Sequence, residues 1–119
     1  MIYHVVAQDD WLAVPDRPYA PSSLREEGFV HCSPDERTAL AIASTLFRDA
    51  AGPLLALVID ESGLGAPVRW ETGDGRPPAE AGGRPLFPHV YGEINREAVT
   101  RVTEVERDAE GRATRLIPR

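Results

Sequence analysis

The chain contains no lysine: all 13 of its basic residues are arginine. That absence excludes Schiff-base chemistry, a lysine general base and the phosphate-holding lysine of a Walker motif, so pyridoxal enzymes, lysine aldolases and P-loop kinases drop out. There is one cysteine, Cys32, which forbids an internal disulfide and any Cys-x-x-Cys metal or redox motif. No run approaches the roughly 18 apolar residues of a membrane span, and MIYHVVAQDDW has neither a basic leader nor an apolar signal segment. The expectation is a cytoplasmic protein with no membrane contact. Net charge is −6, with the arginines scattered along the chain, which makes nucleic acid an unlikely partner. What is present is ordinary: 119 residues, 42% hydrophobic and 27% charged, enough to bury one core.

Ile2 to Val6 alternates as a strand, with Ile2, His4 and Val6 on one face. AQDDWLAV reads as a short helix stopped by Pro15, and PDRPYAPSS as a turn. Phe29 to Cys32 reads as a second strand entered through Gly28. Ser33, Pro34 and Glu36 then match a capping box, with Ser33 as N-cap. The helix that follows carries Ala39, Ile42, Ala43, Leu46 and Phe47 as an apolar stripe expected to pack on a sheet. LLALVID is continuously apolar, as in a central strand covered on both faces. VRWE, Val68 to Glu71, is a short strand with Arg69 and Glu71 on one face and Trp70 on the other. The glycines and prolines between Gly73 and Pro85 predict a loop, a candidate lid. LFPHVYGEI is extended, with Pro88 suggesting an edge or a bend. VTRVTEVE and RATRLI predict a C-terminal hairpin between about Thr100 and Ile117. The whole predicts a single α+β domain, residues 1–119, with about six short strands and two or three helices.

The three histidines, His4, His31 and His89, all lie in apolar or aromatic extended segments. Burying an imidazole without partners is costly, so each is either satisfied structurally or kept for a task. Period two sets His31 and Ser33 on one side of their segment and Cys32 on the other, which assigns Cys32 to the core and leaves His31 as the functional candidate. The helix start after Ser33 is also an anion-site candidate. Three dispersed histidines form a rival zinc site for a metal-dependent hydrolase, although no close-spaced ligand pair supports it. Glu71 is a candidate for stabilising a developing cation, and Tyr91 for stacking on a ring or bonding a sugar.

Four blocks, IYHVV, EGFVHCS, LGAPVRWE and LFPHVYGEIN, occur in an order that resembles the bacterial family called domain of unknown function 952, from roughly Ile2 to Val105. That resemblance implies an ADP-ribosyltransferase-like fold, a split, twisted, mixed β-sheet whose cleft holds NAD in active relatives. It implies His4 as a ribose contact, with His31 and Ser33 on a second core strand bordering the same cleft. It implies NAD as a candidate substrate and assigns no cofactor; protein partners stay open. No glutamate aligns with the late catalytic one of active transferases; Glu71 lies in a matching block and Glu93 departs from it. The histidine-rich set is similar to the RNA 2'-phosphotransferase branch, which works without that glutamate.

The implied function is an NAD- or ADP-ribose-utilising transferase or hydrolase, with a non-catalytic nucleotide- or phosphate-binding module as the alternative. The expected site has His31, Glu71 and His89 in catalysis, and His4, Ser33, Arg69 and Tyr91 holding the small-molecule nucleotide or phosphate.

Overall fold

Every side chain of LLALVI, Leu54–Ile59, is buried, and this strand organises the molecule. A computed structural model describes residues 1–119. Its strands are β1 Ile2–Ala7, β2 Val30–His31, β3 Leu54–Ile59, β4 Val68–Glu71, β5 Phe87–Val90, β6 Val99–Arg107 and β7 Ala113–Pro118. They form two sheets, a four-stranded one in the order β1-β3-β6-β7 and a three-stranded one in the order β2-β5-β4. Every pairing is antiparallel, so the expected split is present but the expected mixed sheet is not. The helices are α1 Gln8–Leu12, α2 Ser22–Glu27 and α3 Glu36–Leu46.

Period two on β3 divides the core. Leu55, Leu57 and Ile59 join Ile2, Val30 and Val90 in one apolar cluster. Leu54 and Ala56 join Val5, Ala39, Ala43 and Val105 in another. The large sheet is therefore a middle layer, with the small sheet on one face and α3 on the other. This is why β3 is continuously apolar where most strands alternate. No helix is long and apolar enough to cross a membrane.

The N-cap of α3 is Asp35, not Ser33: Asp35 Oδ1 accepts from the Thr38 amide at 2.7 Å. Ser33 is instead an extension of β2. Its backbone pairs with Tyr3, with N–H···O distances of 2.6 and 2.9 Å, and that bridge joins the small sheet to the outer edge of β1. The Ser33 amide is thus spent on Tyr3. Asp35→Ala should lower the melting temperature by removing the only side-chain acceptor at that end, whereas Ser33→Ala should leave it nearly unchanged. Equal losses in thermal denaturation would contradict this assignment.

Two further expectations are corrected. The segment expected to be a turn carries α2 at its end, and Gly28 stops the helix with φ of 87°, a left-handed conformation that glycine adopts without steric cost. Pro88 lies in β5, the central strand of the small sheet. Its carbonyl accepts from Cys32, so its missing donor faces the side where β2 is ending, and the β4 ladder is left intact. The C-terminal hairpin is as expected, closed by an Asp108–Arg112 turn with Gly111 at φ of 83°.

Candidate functional site

A cleft of about 600 Å³ runs along the outer edge of β1, and His4, His31, Ser33 and His89 all line it. Beyond the Tyr3–Ser33 bridge that edge has no strand partner, so the seam between the two sheets opens into a groove. The opposite wall comes from α3. Its stripe is wider than its contact with the sheet: Ala39 and Ala43 are buried, while Ile42, Leu46 and Phe47 turn to the cleft.

The floor is the odd-numbered face of the small sheet. His31 and His89 are directly cross-strand, their rings edge to face with centroids 5.1 Å apart. Phe29 stacks on His89 at 4.2 Å. The His89 side chain is 1% exposed and its Nδ1 lies 3.0 Å from Glu71 Oε1. The same oxygen accepts the Tyr91 hydroxyl at 2.6 Å. Burial by itself would raise the Glu71 pKa, but the hydrogen bonds from Tyr91 and His89 outweigh it and hold the carboxyl below its usual range. An ionised carboxylate only accepts, so His89 carries its proton on Nδ1 and its lone pair on Nε2. Burial also lowers the His89 pKa, against the pull of Glu71, which keeps the ring neutral near pH 7. Its Nε2 is buried and has no partner in the protein.

The other two histidines are held differently. His4 donates Nδ1–H to the His31 carbonyl at 2.7 Å and accepts the Tyr19 hydroxyl at Nε2 at 3.1 Å. Burial, partly offset by the bond to the His31 carbonyl, lowers its pKa to about 4. With both nitrogens occupied, His4 braces the seam and has no free atom for a ribose. His31 is bonded through Nε2 to Glu27 Oε2 at 2.6 Å, and both side chains are substantially exposed.

Three histidines therefore meet at one cleft, but no three His, Cys, Asp or Glu side chains are grouped as a metal ion needs. The three-histidine zinc site is not formed, because the two nitrogens of His4 are already committed to the fold. Arg69 and Tyr91 are brought to Glu71 and not to the cleft wall. The Arg69 guanidinium lies over the Tyr91 ring at 4.6 Å, and the Tyr91 hydroxyl is committed to Glu71. Cys32 faces the core, 5% exposed, and burial raises its thiol pKa. The loop from Gly73 to Pro85 contains a short 3₁₀ turn, Pro78–Glu80, and is laced together by Asp74 with Thr72, Arg76 and Arg84. Only Gly73 of it lines the cleft.

Sequence reasoning missed Glu27 and Asp10, which both line the cleft. A signal for Glu27 existed: Pro21 before a short polar run and Gly28 after it mark a helix, and the turn at Gly28 brings Glu27 back over His31, four residues on.

The model of a family described as "Protein of unknown function (DUF952)" matches residues 5–102. No curated protein matches. Among solved structures, the crystal structure of CC0527 from Caulobacter crescentus is 27% identical over 95% of this chain and 92% of that one, with a TM-score of 0.74. A double mutant of CC0527 gives 26% identity, the same coverage and the same TM-score. The solution structure of CC0527 gives 28% identity over 92% of this chain and 88% of that one, with a TM-score of 0.69.

Proposed function

The chain belongs to the DUF952 family of proteins of unknown function, and from that premise we propose that its cleft is an acid–base site for a small molecule. In this reading His89 is the proton acceptor. The observation that carries it is His89 Nε2: a neutral imidazole nitrogen, buried without a partner in a residue that lines the cleft, with Nδ1 fixed by a carboxylate. Leaving a buried acceptor unpaired costs roughly 1–3 kcal/mol, which a ligand donor would recover. A general base needs a fixed tautomer and a pKa that leaves it unprotonated at the working pH, and Glu71 with burial supplies both. Glu71 acts through His89 and is a positioning residue, and Tyr91 holds Glu71 in turn.

The reaction class is hydrolysis or group transfer that begins with removal of a proton from a bound water, hydroxyl or amine. The ADP-ribosyltransferase-like placement, with NAD or an ADP-ribose derivative as substrate, is a narrower form of the same reading. For it speaks the split between the sheets; against it stands the lining, which includes none of the 13 arginines to meet a pyrophosphate. A binding module without turnover is the second reading. It is favoured by the packing of Phe29 and His31 against His89, which holds that ring almost wholly out of solvent.

Nitrogen-15 NMR of the imidazoles at pH 7 tests the base directly, without knowledge of the substrate. His89 is expected with Nδ1 protonated and Nε2 bare, and Glu71→Gln should erase that preference while the fold persists. A protonated Nε2 in the unsubstituted protein would overturn the assignment. Nicotinamide release from NAD, lost in His89→Gln, would narrow the reaction to the ADP-ribosyl class. Tight NAD binding with no release would favour the module.

A further inference from the structure

The cleft has two carboxylates at its mouth and no cationic side chain other than what its histidines can supply. Asp10 and Glu27 line it, and no arginine does, in a chain where every permanently cationic side chain is arginine. Asp10 is exposed and belongs to no ion pair of the structure, whereas Glu27 is bonded to His31. Deeper in, the orphaned group is His89 Nε2, another acceptor. The unsatisfied polar atoms of this site thus ask for hydrogen-bond donors and positive charge. The walls ask for something else: Val5, Ile42, Leu46 and Phe87 are apolar, and the volume of about 600 Å³ is in the range that encloses a small organic molecule.

We infer that the cleft binds a small amphiphilic amine, with the ammonium directed to the carboxylates and His89 and the aliphatic or aromatic body against α3. An ammonium has three donors and no acceptor, so it can meet Nε2 and a carboxylate at once. A phosphate or carboxylate ligand would bring acceptors to acceptors and negative charge to negative charge, and burying such a mismatch is strongly unfavourable. This inference rests on the acid–base reading for its deepest contact, and it adds to that reading the charge and shape of the ligand.

Calorimetric titration of the protein at pH 7.5 and low salt with n-hexylammonium, 1-hexanol, hexanoate, inorganic phosphate and ADP-ribose tests it. The ammonium is expected to bind about tenfold or more tightly than the alcohol. Its affinity should fall as salt is raised, because the carboxylates at the mouth are screened. Asp10→Asn with Glu27→Gln should bring the ammonium down to the level of the alcohol. Hexanoate, phosphate or ADP-ribose binding as tightly as the ammonium would overturn the amine assignment, as would no binding of the ammonium at millimolar concentration. The two readings fail separately. An anion whose binding is lost in His89→Gln removes the amine and keeps His89 as a ligand contact, while an ammonium that binds His89→Gln undiminished keeps the charge preference and removes the His89 contact; the base stands or falls with the imidazole tautomer.

Discussion

Acidification from pH 6.5 to 4 should cost the folded protein about 3 kcal/mol at one residue, His4. In the unfolded chain this imidazole titrates at its usual 6.5, and in the fold burial holds it down to about 4. Between those values the unfolded chain binds a proton that the native state refuses, so stability rises with pH across that window. The contribution is complete above about pH 6.5 and is gone once the pH has fallen through 4. The physical conflict is local. Both His4 nitrogens are in use, Nδ1 as donor to the His31 carbonyl and Nε2 as acceptor from Tyr19; a proton on Nε2 faces another donor in a buried seam. His89 is depressed in the same direction by burial and steepens the same limb. Urea denaturation at half-unit intervals from pH 7 to 4 should show the slope, and His4→Gln, which keeps a donor and an acceptor, should flatten it. An unchanged slope in that variant would remove His4 from the account.

Leu57→Ala should be the other large effect, a loss of roughly 2–5 kcal/mol. Leu57 is fully buried at the centre of β3, facing the small sheet among Val30, Val90 and Ile94. The strand is paired on both sides, by β1 at His4 and by β6 at Val102, so its backbone cannot move in to close the void. Cavity and lost transfer free energy therefore both count. Leu116→Ala on the edge strand β7, where the side chain is only partly buried, should cost clearly less. The two denaturation midpoints, measured side by side, decide the matter: equal losses would mean that β3 is not the packing centre.

The stripe on α3 illustrates how far pattern reading reaches. Its five apolar positions identify the helix and its inward side, because a period of 3.6 is written into the spacing. They do not say that Ala39 and Ala43 bury fully against the large sheet while Ile42 and Phe47 pack there only in part and, with the exposed Leu46, also line the cleft, since that depends on where β1 ends its pairing. The cap was misplaced for a similar reason. Ser33 and Asp35 both suit the position, and the competition was settled by Tyr3, thirty residues away, which takes the Ser33 backbone into a bridge. Pro88 suggests an edge only to a reader who does not know that β2 is ending beside it.

The sequence by itself determined the residue types and the local faces: no lysine chemistry, no disulfide, a doubly covered β3, Cys32 turned inward and His31 outward, Glu71 opposite Trp70. These follow from composition and from periods of two and 3.6, which are properties of short stretches of chain. Only the tertiary structure decided what those faces meet. It set His31 across from His89, gave Glu71 to His89 and Tyr91, spent both nitrogens of His4 on the seam and left Nε2 of His89 without a partner. Those outcomes depend on strand order and register between segments tens of residues apart, and register is fixed by the packing of the whole core.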